Sequence, residues 1–122
     1  MKQLFVMMLL AANSFAAHPT PVRQAPSTSD DRQNPLEPNE VNRKAGAKIF
    51  SRECAACHGS AGQGRQKALP LDSREVQDAS SGRLFWVLTN GSLRHGMPSF
   101  ASLPEPQRWQ VTTFLKTLPR SQ

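Results

Sequence analysis

The sequence predicts an all-α fold, and three observations carry that prediction. Apolar and small residues recur at helical spacing in three stretches, which start near Val41, Ser81 and Pro104. No stretch alternates apolar and polar side chains in the manner of a half-buried strand, and no internal repeat is present. Residues that start and stop helices bound these stretches: Ser80 or Ser81 before the second, Gly91 after it, and Pro119 after the third.

Each element follows from local composition. Val41, Ala45 and Ile49, beside Gly46, Phe50 and Cys54, form two adjacent rows of a helix ending near Cys54. Gly59, Gly62 and Gly64 then interrupt regular structure, and residues 65–80 read as a loop with one short helical turn. Ser81 to Leu88 is a compact apolar helix, and Arg94 to Ser102 is a loop around Pro98. The last helix opens at Pro104-Glu105-Pro106, where prolines and an acid suit a first turn. It is expected to carry Trp109, Val111, Phe114, Leu115 and Leu118 along one face.

The chain of 122 residues divides into three parts. Met1-Lys2-Gln3, the apolar run Leu4–Ala12, and Ser14 and Ala16 before a cut make residues 1–16 a signal peptide, cleaved after Ala16. The apolar run is too short for the roughly 20 residues that span a bilayer, so stable membrane insertion is not expected. Residues 17–39 hold five of the ten prolines, and Val22 and Leu36 are their only sizeable apolar side chains. That composition reads as a flexible Pro-rich leader, either a plain extension or a tether for a partner. The folded domain then spans residues 40–122.

The formal charge is +6, or +5 once Lys2 leaves with the signal peptide. The ten arginines are spread along the chain without a dense basic run or interleaved aromatics, which argues against nucleic acid as a partner. A diffuse positive surface suits an acidic protein or an anionic membrane surface better.

Both cysteines lie in Cys54-Ala-Ala-Cys57-His58. Cys-x-x-Cys-His is the attachment signature of c-type haem: two thiols add to the porphyrin's vinyl groups, and the next imidazole reaches the iron. Three alternatives compete. A redox-active disulfide needs a βαβ unit that the sequence lacks. A zinc site needs His18 and His95, which lie in the leader and in a distant loop. A structural disulfide would close so short a loop that it constrains little. A domain of this size with few large apolar residues also has a thin core, which a buried haem would complete.

A second axial ligand is sought in Asn90-Gly-Ser-Leu-Arg-His-Gly-Met-Pro-Ser-Phe100. Met97, between Gly96 and Pro98, is the only methionine left after signal removal and the leading candidate. His95, an open sixth position, and use of Met97 as core filler remain as alternatives. His/Met ligation favours the ferrous state and leaves no site for substrate.

With these residues the chain resembles a bacterial class I monohaem cytochrome c, over about 80 residues from Gly46 and Phe50 to the last helix. The resemblance implies helices packed around one covalently attached haem, with the first and last helices crossing at Gly46, Phe50, Trp109 and Phe114. It implies that the backbone carbonyl of Pro70 accepts a hydrogen bond from His58, although a loop proline would look the same. Trp86 matches the family aromatic that packs on haem or reaches a propionate, although core packing explains it equally. With no tyrosine in the chain, propionate contacts fall to Trp86, arginines or backbone N–H groups.

The expected function is one-electron shuttling in the periplasm between a redox protein donor and acceptor with acidic docking surfaces, and not enzyme catalysis. The Phe85-Trp86 to Phe114-Leu115 run looks closest to cytochromes that accompany quinoprotein dehydrogenases or respiratory complexes. The rival expectations are a haem-based gas sensor, or a small catalytic or structural haem subunit of a dehydrogenase complex.

Overall fold

The computed structural model describes residues 19–65 and 68–121. The expected signal peptide lies outside the described residues. Six helices follow in order: α1 Pro21–Gln24, α2 Glu40–Glu53, α3 Ala55–His58, α4 Arg74–Asp78, α5 Ser81–Asn90 and α6 Glu105–Leu115. Short 3-10 turns occupy Ser27–Asp31 and Leu93–His95. No strand occurs among the described residues; Ser92 and Met97 form one isolated antiparallel bridge.

Local chemistry sets the helix starts. Asn39 caps α2 by accepting from the Asn42 N–H, Ser73 caps α4 and Ser80 caps α5 in the same way. Glu40 pairs with Arg43 and Lys44 along the first turns of α2. α6 begins at Pro104 with Pro106 in its first turn, and after Leu115 the chain tightens into i→i+3 bonds at Thr117 and Leu118.

The helices α2 and α6 cross closely, as the resemblance implied. A Cβ on Gly46 would stand 1.9 Å from the Gln110 carbonyl oxygen, so only glycine admits this approach. Phe50 and Phe114 pack beside the crossing with ring centroids 5.1 Å apart. Trp109 stacks on Phe85 of α5 at 3.9 Å, nearly parallel. The single apolar face expected for α6 is therefore two faces, and Trp109, Val111, Thr112, Thr113 and Leu115 are all buried.

The second face is covered by the segment expected to be a flexible leader, and here the structure corrects the sequence reading. Over Pro19–Asn39 the chain folds onto the domain, with α1 and the Ser27–Asp31 turn packed on α5. Val22 and Ala25 are buried, 7% and 4% exposed. Arg83 of α5 binds Asp30 through two guanidinium nitrogens and donates to the carbonyls of Val22 and Ala25. Arg32 lies over the rings of Phe85 and Trp109, and Asn34 Nδ2 donates to Thr113 Oγ1 at 3.0 Å. Apolar content alone did not reveal this, because the segment borrows the domain's core and has its polar groups met by side chains of α4, α5 and α6.

Candidate haem site

The Cys-x-x-Cys-His run sits where α2 gives way to α3. Cys54 N–H closes α2 on the Phe50 carbonyl at 2.8 Å, and His58 N–H returns to the Cys54 carbonyl at 3.0 Å. One tight turn thus presents both thiols and the imidazole together. Both cysteines are unpaired thiols, Cys54 half-buried and Cys57 exposed. Burial, with Glu53 and Cys57 adding to it, pushes the Cys54 thiol up to about 11, which keeps it protonated at neutral pH.

His58 Nδ1 lies 3.1 Å from the carbonyl oxygen of Leu69. A carbonyl can only accept, so Nδ1 carries the proton and Nε2 keeps a lone pair for a metal. The expected acceptor was the Pro70 carbonyl. The structure assigns that role to the residue before it, while the Pro70 carbonyl accepts from Ser73 N–H as α4 begins. Pro70 is exposed and packs toward Gly64, so it stiffens the turn that offers the Leu69 carbonyl.

The Met97 loop is held by longer-range contacts. Ser92 and Met97 exchange both backbone hydrogen bonds, at 2.9 and 3.0 Å. Phe100 N–H donates to the Leu88 carbonyl, and Ser99 Oγ to the Thr89 carbonyl. Gly91 starts the loop at φ +66°, and a Cβ there would meet the Pro98 carbonyl carbon at 2.6 Å. His95 Nδ1 pairs with Ser92 Oγ at 2.8 Å.

His58 and Met97 line one cavity of about 710 Å³, together with Cys54, Cys57 and His95. Its remaining wall is largely apolar, built by Val76, Leu84, Val87, Leu88, Val111 and Leu115. Arg65 is the arginine at this cavity, and it also donates to the Ala56 carbonyl.

Trp86 does not reach the cavity. Leu84, Val87 and Leu88 turn one face of α5 toward it, and Trp86, two residues after Leu84, points to the other side. Sequence reasoning also missed Thr20, Pro21 and Val22, which line the cavity. Their signal was present: Thr20 accepts from Arg23 N–H and Pro21 occupies the first helical position, a capped start.

The residues present fit a covalently attached haem. The cavity falls in the roughly 300–1,000 Å³ range of small-molecule and cofactor sites, and two free thiols and an iron-competent imidazole open onto it. Among the described residues no group of three or more His, Cys, Asp or Glu side chains is placed to hold a metal ion; His18, which the zinc alternative also needs, lies outside them.

Comparison with protein families agrees. Residues 41–115 match the family described as cytochrome c oxidase, cbb3-type, subunit III. No curated protein and no solved structure gives a significant match. The matched span covers well over half of the chain and contains Cys54, Cys57, His58 and Met97. The chain thus belongs to this family of monohaem c-type cytochromes, with haem c joined through Cys54 and Cys57 and haem-based electron transfer as its work.

Proposed function

We propose that the chain is an exported one-electron carrier whose iron is ligated by His58 and Met97 and which exchanges electrons with acidic redox partners in the periplasm. The observation that carries this reading is the convergence of His58 and Met97 on one apolar cavity, each with its backbone or ring already fixed. Haem c, when bound, supplies a one-electron couple.

The protein residues do the rest. The Leu69 carbonyl orients the His58 ring and raises its basicity as a ligand. The Ser92–Met97 bridge fixes the loop that offers the thioether, a ligand that raises the reduction potential. The largely apolar wall gives the site a surrounding of low polarity. With haem bound, Arg65 would supply a cation for one of its carboxylates, a role the sequence left open among Trp86, arginines and backbone N–H groups.

Export rests on the signal-peptide pattern of residues 1–16, and no described helix is long and apolar enough to cross a membrane. The net charge, +5 once Lys2 has left with the signal peptide, favours an acidic partner, and the family description, an oxidase subunit, favours a respiratory acceptor. Docking is then transient and steered, so the exchange rate falls as ionic strength rises.

The same description favours a second reading, a permanent subunit of such an oxidase. Size-exclusion of the native material separates the two: a carrier elutes alone, and a subunit elutes with the complex.

The test of ligation uses carbon monoxide and redox titration. The reduced, haem-loaded chain takes up almost no carbon monoxide, whereas Met97→Leu binds it and titrates at a lower potential. Equal uptake by both proteins would overturn Met97 as the ligand.

A further inference from the structure

We propose that Pro19–Arg32 is a strap built into the haem crevice, which keeps the Met97 loop closed over the site. This goes beyond the family relationship, because the strap precedes the matched residues 41–115. It rests on the reading of Met97 as ligand.

Three observations carry the proposal. First, the strap is wall and not covering: Thr20, Pro21 and Val22 line the cavity that holds Met97, and Val22 belongs to the apolar cluster against which Met97 packs. Second, it touches the loop itself. Gln24 Nε2 donates to the Pro19 carbonyl at 3.0 Å, which turns Oε1 outward to accept from Ser92 Oγ at 3.4 Å. Ser92 is only 6% exposed and holds Met97 through both backbone bonds. Third, the strap is latched at both ends. Glu75 Oε1 accepts from Thr20 Oγ1 and from Arg23 Nε, while Arg83 grips Asp30 and two strap carbonyls.

Gly82 shows that α5 is shaped for this seat. A Cβ there would stand 2.1 Å from the Ser29 carbonyl oxygen and 2.4 Å from that of Arg32. Gly82 has no positive φ among the chain's glycines, so its backbone does not demand glycine. The close approach of the strap does. Gln24 and Asp30 are therefore positioning residues, acting on the iron site through the Met97 loop.

The experiment measures carbon monoxide uptake by the reduced, haem-loaded full chain. Its variants are Gly82→Ala, which evicts the strap while favouring helix, and Asp30→Ala, which unlatches it from the strap's own surface. Gly46→Ala, a destabilising change at the far helix crossing, is the control. The strap account expects uptake about tenfold faster or more in both strap variants, the factor for one lost charge-assisted bond. It expects no such change in the control. If the unaltered chain and both strap variants are equally inert, or if Gly46→Ala accelerates uptake as much, the strap proposal is overturned while Met97 stands. If the unaltered chain itself binds carbon monoxide readily, Met97 ligation fails and the strap proposal with it.

Discussion

The two sides of the haem cavity are built by different means. On the cysteine side, five consecutive residues in one helical turn supply both thiols and the imidazole, and the contacts that steady them come from the next few residues of the chain, the Gly64 N–H, Arg65 and the Leu69 carbonyl. On the methionine side, the loop from Gly91 to Phe100 is placed by α5, by the reciprocal Ser92–Met97 bonds and by a strap some 70 residues away in sequence. The first side is fixed by covalent neighbourhood, the second by tertiary packing. A site assembled this way yields on its methionine side first, because many weak contacts open locally at a lower free energy than the global fold.

Removing the covalent side is the largest perturbation available. Cys54→Ala with Cys57→Ala leaves an apolar cavity of about 710 Å³ in a domain whose core is thin without haem. The expected outcome is loss of a cooperative melt by circular dichroism. A near-native melt would show that the helices need no haem.

The crossing of α2 and α6 at Gly46, away from the cavity, comes next. Gly46→Ala drives a methyl into the Gln110 carbonyl and destabilises by about 1–3 kcal/mol, outweighing roughly 1 kcal/mol gained in helix propensity. Chemical denaturation measures it, and a net gain would contradict the close approach.

Gly91→Ala sharpens the contrast. It combines a φ of +66° with a contact of 2.6 Å at Pro98, for a cost of about 1–3 kcal/mol. The damage should concentrate on the methionine loop, so hydrogen exchange at Met97 N–H rises more than at Cys54 N–H. Uniform acceleration would erase the distinction between the two sides.

The smallest expected effect is a pH effect on the strap. Hydrogen bonds from Arg83, and then from Ser80, lower the Asp30 carboxyl from 3.8 to about 2. A lowered carboxylate stabilises the folded form above its ordinary range and loses that contribution as pH falls from about 4 toward 2. Proteolysis within Pro19–Arg32 should therefore quicken across that window, and Asp30→Ala should be susceptible already at pH 5. A variant as resistant as the unaltered chain would remove Asp30 from the latch.

The cysteine side and the helices were legible in the sequence for the same reason: their determinants are local. Ser80 and Gly91 mark ends that the structure keeps, and Cys54 to His58 read directly as a haem attachment motif. What stayed hidden depends on which surfaces meet. A proline twelve residues after His58 could be found, but whether its own carbonyl or that of Leu69 faces the imidazole is decided by the turn between them. Trp86 looked suited to a haem contact until the phase of α5 turned Leu84, Val87 and Leu88 inward instead. The strap was hidden most deeply. Its own composition is polar and proline-rich, and its order comes from the partners that Arg83 and Glu75 provide.

The most direct test of the account is the intact mass, under denaturing conditions, of the chain matured with haem. The account predicts one haem added covalently to every polypeptide and none to the Cys54→Ala, Cys57→Ala variant. A chain without haem, lighter by two hydrogens through a Cys54–Cys57 disulfide, would contradict it.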